Sequence, residues 1–98
     1  MAYSIFKYTL DPSEIEHFIE LPHGTEILSA TAQYSDIVFW AKVKNDEHLT
    51  ERVGFLVVPA GSDNVKDDDR FIGTCLLHAD NLIFFENLVF HVFVRGNY

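Results

Sequence analysis

The chain has 98 residues, and its 15 acidic against 7 basic side chains give a formal net charge of −8. The length and the hydrophobic fraction of 48% predict one folded domain, residues 1–98. Acids and bases are spread evenly along the sequence, without a basic arm. Because direct binding of nucleic acid relies on clustered Lys and Arg, this balance argues against it.

The compartment is predicted from what the sequence lacks. The first residues show no basic region followed by an apolar run, so we expect no signal peptide. The apolar runs are too short and too interrupted to span a bilayer. Cys75 is the only cysteine, which excludes an intrachain disulfide and fits a reducing compartment. These features predict a cytoplasmic protein without a membrane partner.

Apolar residues in the first third of the chain recur with the period of two that is typical of strands. Residues Ser4–Leu10 alternate in this way, and a second short strand is expected over 17–22. Between them, Asp11 and Pro12 are the best helix-start signal, for at most one or two turns. Residues 22–25 read as a turn, because Pro22 and Gly24 stand in it.

The middle of the chain continues the pattern of strands. Residues Glu26–Tyr34 and Asp36–Val43 are predicted to form a hairpin, followed by a polar loop. A further strand, Glu51–Pro59, ends at a proline, which cannot donate a ladder hydrogen bond. A long irregular stretch, Ala60–Asp69, then leads into the strand Arg70–Leu77.

The segment "NLIFFENLVFHVFVRG" is apolar on both sides of the predicted strands. We expect a hairpin that turns at Glu86–Asn87, because Asn tolerates the positive φ of tight turns. Its core face would carry Ile83, Phe85, Leu88, Phe90, Val92 and Val94. Its second face would carry Leu82, Phe84, Val89, His91, Phe93 and Arg95. A second layer of the same chain or another subunit must cover this second face.

Together these elements predict an all-β fold, a small antiparallel sandwich or barrel-like domain with at most one short helix. About six to eight short strands with turn signals between them are typical of such folds. The doubly apolar hairpin further predicts a homo-oligomer. Its interface would contain Leu82, Phe84, Val89 and Phe93.

Six segments appear in an order that resembles a known family: "IFKYTL", "IELPHGTEILSATAQ", "FWAKV", "FLVVPAGS", "RFIGTCLL" and "LVFHVF". The family consists of short domains of unknown function that are common in bacteriophages and in bacterial genomes carrying phage DNA. The resemblance covers most of the chain, and its motifs are turns and apolar strands. It implies a compact β-rich fold and a phage-associated origin, hence the cytoplasm of a host cell, and it implies no activity.

Catalytic and metal-binding motifs are absent from the sequence. The histidines lack the short ligand spacing of zinc sites, and the Asp63–Asp69 stretch lacks the glycine and glutamate of a calcium loop. Neither a G-x-S-x-G elbow nor a phosphate-binding glycine motif occurs. Cys75 reads as a buried small hydrophobe. We therefore expect a non-enzymatic protein without metal or cofactor.

The sequence offers more candidates for ligand binding than for catalysis. His91 either contacts a ligand or is a half-buried imidazole with a hydrogen-bond partner. Strand-borne bases next to aromatic residues are able to grip a phosphate and stack on a base. The alternative is that these side chains are ordinary outward-facing residues of a sheet. The candidate ligand-binding set is His91, Arg95, Arg70, Arg52, Lys7, Trp40 and Tyr8.

Two hypotheses about function follow. In the first, the protein is an oligomeric phage sponge that sequesters a small anionic ligand, such as a nucleotide signal of host defence. In the second, it is an acidic adaptor or inhibitor that binds a basic surface of a host or phage protein. A structural role in a phage particle stays open behind both.

Overall fold

The computed structural model describes residues 2–78 and 87–96, and within them it confirms the all-β prediction. No helix occurs in this part of the chain. The described residues form seven strands: β1 (Tyr3–Leu10), β2 (Glu16–Pro22), β3 (Glu26–Gln33), β4 (Asp36–Lys44), β5 (Thr50–Pro59), β6 (Arg70–His78) and β7 (Asn87–Val94).

The strands form two antiparallel sheets. The smaller sheet has three strands in the order β1-β4-β3, and the larger has four in the order β2-β5-β7-β6. Strand β7 therefore lies inside the larger sheet, between β5 and β6. The two sheets pack against each other, and their backbones approach most closely at β3 and β6. The fold is therefore the small sandwich that the alternating strands predict.

The core lies between the two sheets. Phe39 of β4 is fully buried at its centre, with its ring stacked on Phe55 of β5 at a centroid distance of 4.3 Å. The ring of Tyr8 on β1 also stacks on the Phe39 ring, with a distance of 5.1 Å between the ring centroids. These contacts join both sheets through aromatic rings, which contribute large buried areas in a domain of this size.

Glycine permits a close approach of the two sheets at β3 and β6. A Cβ added to Gly73 would overlap the backbone carbonyl of Ala30 on β3. Gly73 follows directly on an irregularity in the pairing of β6 with β7, between Phe71 and Gly73. The bulge and the missing side chain together let the edge of one sheet come close to the edge of the other.

The predicted helix start at Asp11 is wrong. The Asp11 carboxylate does accept hydrogen bonds as a cap would, from the Ser13 backbone N–H (2.9 Å) and the Ser13 hydroxyl (2.7 Å). The backbone of Glu14 also donates to the Asp11 carbonyl, at 3.3 Å. However, β2 begins at Glu16, two residues after Glu14. The hydrogen bonds of Asp11 therefore stabilise a single turn and not the first turn of a helix.

The predicted hairpin register at the end of the chain is also wrong. Asn87 belongs to β7, and His91 lies opposite Thr74 of β6 on one side and Val58 of β5 on the other. From Phe90 to Val94, β7 is thus paired with β5 on one edge and with β6 on the other. The segment 79–86, which contains the expected partner strand from Leu82 to Phe85 and also Glu86, lies outside the described residues.

The face assignment is nevertheless confirmed for the β7 side chains that the structure describes, residues 89–94. Val92 is fully buried in the core, and Phe90 and Val94 pack against the core from the same face. Val89 and Phe93 face the outer surface of the larger sheet, as expected. The described residues include no helix that is long and apolar enough to cross a membrane.

Candidate functional site

A cleft of about 610 Å³ opens at one end of the sandwich. Its walls come from the turn before β3, from β5 and from the ends of β6 and β7. All three arginines of the chain contribute to its lining, together with Gly24, Thr25, Glu26, Ile27, Glu51, Val53, Gly54, Val94 and Gly96. The structure therefore brings together three residues of the predicted ligand set, although they lie far apart in the sequence.

Arg70 is the arginine whose side chain faces the cleft. It stands opposite Val94 in the sheet, and Val94 packs against the core. Residues opposite each other in a pair of strands share a face, so Arg70 points between the sheets. Its guanidinium donates a long hydrogen bond of 3.4 Å to the Ile27 carbonyl oxygen. Within residues 2–78 and 87–96 it forms no ion pair with a carboxylate, so its charge is open to a ligand.

Arg52 lines the cleft but directs its side chain to the opposite surface of the sheet. Its neighbour Val53 packs against the core, and successive residues of a strand alternate between faces. The Arg52 guanidinium lies 4.2 Å from the centroid of the Phe18 ring, which also stands on the outer surface. This cation–π contact separates Arg52 from any anion held by Arg70.

Arg95 lies in a buried ion-pair network. Its Nη1 lies 2.9 Å from Oδ2 of Asp69, and its Nη2 lies 3.5 Å from Oε2 of Glu16. The side chains of Arg95 and Asp69 are only 10% and 1% exposed. The same Asp69 oxygen accepts a hydrogen bond from the Lys66 backbone at 2.8 Å. Arg95 thus holds the irregular loop before β6 against the sheet through its ion pair with Asp69. The sequence did not indicate this structural role.

The cleft also contains a carboxylate that the sequence analysis missed. Glu51 pairs with Leu21, a fully buried core residue, so its side chain faces the inner side of the sheet. Oε1 of Glu51 accepts a hydrogen bond from the Gly24 backbone at 3.3 Å, and Oε2 lies 3.9 Å from Nε2 of His23. The only sequence feature near this carboxylate is the turn predicted at residues 22–25, and that turn gave no reason to select Glu51.

His91 stands on the outer face of the larger sheet, half-buried and away from the cleft. Its Nδ1 shares a hydrogen bond of 3.0 Å with the Thr74 hydroxyl on the neighbouring strand. The ring of Phe71 lies 6.4 Å from the imidazole, in a tilted arrangement. A half-buried imidazole with a hydrogen-bond partner is the structural alternative named above for this residue.

The three remaining candidates lie on the smaller sheet and do not line the cleft. Lys7 and Trp40 stand opposite each other on its outer face. Tyr8 faces the opposite way and is stacked on Phe39 against the core. The predicted set is therefore divided between the cleft, the outer face of the larger sheet and the smaller sheet.

The outer face of the larger sheet exposes several apolar side chains. Phe71 and Leu76 of β6 are 54% and 50% exposed, and Val89 of β7 is 36% exposed. Phe93 is half-buried beside them, with its ring 5.6 Å from that of Phe71. Val89 and Phe93 belong to the predicted oligomer interface, while Leu82 and Phe84 lie outside the described residues.

Thiol and metal chemistry has little support in the described part of the chain. Cys75 is fully buried, and burial raises the pKa of its thiol above the ordinary value of 9.0. A raised pKa lowers the fraction of the reactive thiolate at neutral pH. The described residues contain no group of three or more His, Cys, Asp or Glu side chains placed to hold a metal ion.

Comparisons with known proteins place the chain in one family. No curated protein matches it, and no solved structure matches it. A profile described as a domain of unknown function, DUF7352, matches residues 1–97. The matched range contains every strand from β1 to β7 and the whole cleft lining. The chain belongs to the DUF7352 family of domains of unknown function.

Proposed function

We propose that the protein is a non-catalytic binding protein that sequesters a small anionic ligand in the cleft at the end of the sandwich. The observation that carries this proposal is Arg70, an exposed strand-borne guanidinium that faces the cleft and has no carboxylate partner among the described residues. A guanidinium offers paired donors that suit phosphate and carboxylate groups. A nucleotide signal of host defence is the ligand class that a phage-associated origin suggests.

The side chains that line the cleft indicate which charge and polarity a ligand should have. Ile27, Val53 and Val94 supply apolar surface beside Arg70, and Glu51 supplies one carboxylate. A ligand with a single anionic group and a flat, less polar body fits this lining better than a polyanion, because Glu51 would repel a second negative charge. The lining thus combines charged side chains with a smaller apolar part, which suits a ligand that carries both an anionic group and an apolar surface.

A thermal-shift experiment with a panel of cyclic nucleotides tests the proposal. At a ligand concentration ten times Kd, binding stabilises the folded state by about 1.4 kcal/mol, which raises Tm by about 6–11 °C in a domain of this size. Arg70→Gln should abolish the shift. Arg52→Gln is the matched control and should retain it, because the Arg52 guanidinium lies over Phe18 on the other surface. A panel without any shift would refute the proposal.

We propose that the protein acts as a homo-oligomer whose subunits meet through the apolar outer face around Val89 and Phe93. These two side chains are partly exposed, so their replacement should leave the fold intact. Val89→Glu together with Phe93→Glu should convert an oligomer of the wild-type chain into a monomer in native mass spectrometry. A wild-type chain that is monomeric at micromolar concentration would contradict this part.

A second function is favoured by the charges around the same face. On β2, Glu16 and Glu20 lie on the outer side next to Phe18, and both are exposed. An apolar patch with a charged rim is the usual form of a protein-binding surface. In this alternative, the face docks onto a basic surface of a host or phage protein. Its complex should weaken steeply between 50 mM and 500 mM salt, whereas a homo-oligomer held by apolar contacts should not.

A further inference from the structure

The fold gathers most of the lysines on one surface that the sequence does not reveal. The chain has four lysines, at positions 7, 42, 44 and 66. Lys7 lies on β1 opposite Trp40, and Lys42 and Lys44 follow Trp40 at alternate positions of β4. Because alternate residues of a strand share a face, all three project from the outer side of the smaller sheet. We call this surface, with Tyr3, Ile5 and Trp40, the lysine face.

The aromatic and apolar side chains of the lysine face are accessible. Tyr3 is 50% exposed and Ile5 is 54% exposed. The amino group of Lys42 lies 4.7 Å from the centroid of the Tyr3 ring, so cation and aromatic ring are already in contact. The amino group of Lys7 donates to the side-chain oxygen of Gln33 at 2.6 Å, a neutral partner that leaves its charge uncompensated.

Within the described residues, the acids around these charges form no ion pair with the three lysines. Two of these acids, Asp46 and Glu47, lie in the turn that follows Lys44. Along β3, the outward positions opposite β4 carry Glu26, Ser29, Thr31 and Gln33. Glu26 stands opposite Lys42, and Asp36 lies at the far end, where β4 begins. The outer face of the other sheet lies beyond the sandwich core, about 10 Å away or more. At 0.1 M salt the Debye length is about 10 Å, so the acids there are largely screened from this surface.

We propose that the lysine face binds a short stretch of single-stranded nucleic acid. The sequence argues against nucleic-acid binding because its bases are not clustered along the chain. In the fold, three of them are clustered next to aromatic rings. Lysines at alternate strand positions are about 6.8 Å apart, comparable to the separation of successive phosphates in an extended single strand. Lysines that follow the backbone and rings that stack on bases are the general means by which proteins hold single strands without sequence preference.

Binding at the lysine face should weaken with salt by a predictable amount. Neutralising Z phosphates of a single strand gives a slope of log K against log salt of about −0.7Z, so three lysines give a slope of about −2. Lys42→Gln should reduce the steepness of this slope by about 0.7. The double-stranded form should bind more weakly, because its bases are not available to Tyr3 and Trp40.

The test uses fluorescein-labelled dT12 and rU12 with the full chain, between 50 mM and 200 mM salt. Trp40 is the only tryptophan, so quenching of its fluorescence reports binding at the lysine face itself. The triple variant K7Q/K42Q/K44Q should lose both the anisotropy change and the quenching, and K7R/K42R/K44R should restore them. Lys66→Gln is the matched control and should bind normally, since Lys66 lies in the loop before β6.

Three outcomes would overturn the proposal. The first is the absence of saturable binding of either oligonucleotide at 50 mM salt. The second is binding that the triple glutamine variant retains while its circular dichroism spectrum is unchanged. The third is binding of poly-L-glutamate, with the same Trp40 quenching, in the absence of oligonucleotide binding. That last result would assign the lysine face to an acidic protein partner instead.

Discussion

Replacing Asp69 by alanine removes the carboxylate that faces a buried guanidinium, and its cost can be estimated from the structure. The Asp69 side chain is 1% exposed and lies 2.9 Å from Nη1 of Arg95. It also accepts the Lys66 backbone N–H, so two interactions are lost at once. Breaking a buried ion pair by removing one partner costs about 3–5 kcal/mol. Arg95 retains Glu16 at 3.5 Å, which places the expected cost near the lower end, about 3 kcal/mol.

Urea unfolding followed by circular dichroism measures this cost. We expect Asp69→Ala and Arg95→Met each to lower the free energy of unfolding by about 3 kcal/mol, a large share of the about 5–15 kcal/mol typical of a domain of this length. The double variant should lose less than the sum by about 2 kcal/mol, because no buried charge is left unpaired. In the part of the chain that the structure describes, Nε of Arg95 and Oδ1 of Asp69 are buried without a hydrogen-bond partner, which limits the net contribution of the pair to stability.

The control is Glu16→Gln. The Glu16 side chain is 51% exposed, and exposed pairs contribute less than about 1 kcal/mol. Additive losses in the double variant, or a cost below about 1 kcal/mol for either single variant, would refute the description of Arg95 as a structural residue. In that case Arg95 would return to the ligand-binding candidates, beside Arg70.

Two further predictions concern the backbone and the response to acid. Gly73→Ala should destabilise the fold by more than about 2 kcal/mol in urea unfolding, because the added Cβ meets the Ala30 carbonyl. Gly61→Ala, with open space and φ of +87°, should cost only about 1 kcal/mol, and equal losses would contradict the steric reason. The Ser13 backbone and hydroxyl hydrogen bonds lower the pKa of Asp11 below its ordinary value of 3.8. The ionised form therefore favours the folded state: this contribution is complete well above pH 3.8 and is lost as the pH falls through the lowered pKa. Asp11→Asn should flatten the acid limb of a plot of stability against pH, and an unchanged limb would contradict this assignment.

Strand positions and faces were predictable from the sequence, but strand partners were not. The alternation around Val92 correctly places Phe90 and Val94 on the core side, although the predicted partner of β7 is wrong. Both outcomes have the same cause: the period of two fixes which side chains share a face whatever strand lies alongside. Two apolar flanking strands, β5 and β6, were available to β7, and local turn chemistry at Asn87 gave no information about them.

The parts of the candidate site were predictable only as a list of residue types. Arg70 was a candidate because it is a base on a predicted strand, and it does face the cleft. Glu51 was missed because its place next to the Gly24 turn depends on the pairing of β2 with β5. The grouping of Lys7 with Lys42 likewise depends on the pairing of β1 with β4. Long-range pairing is the information that composition and periodicity lack.

The internal position of β7 has a consequence for how the chain folds. β1, β3 and β4 lie within residues 3–44, so the smaller sheet can form early from nearby segments. β5 can pair with the earlier strand β2, but its other edge must wait for β7, which comes later in the chain. Until then, its run Phe55–Val58 presents an unpaired edge between strongly apolar side chains. Such an edge is a template for intermolecular pairing, so variants that delay the docking of β7 should aggregate during synthesis even where the finished fold is stable.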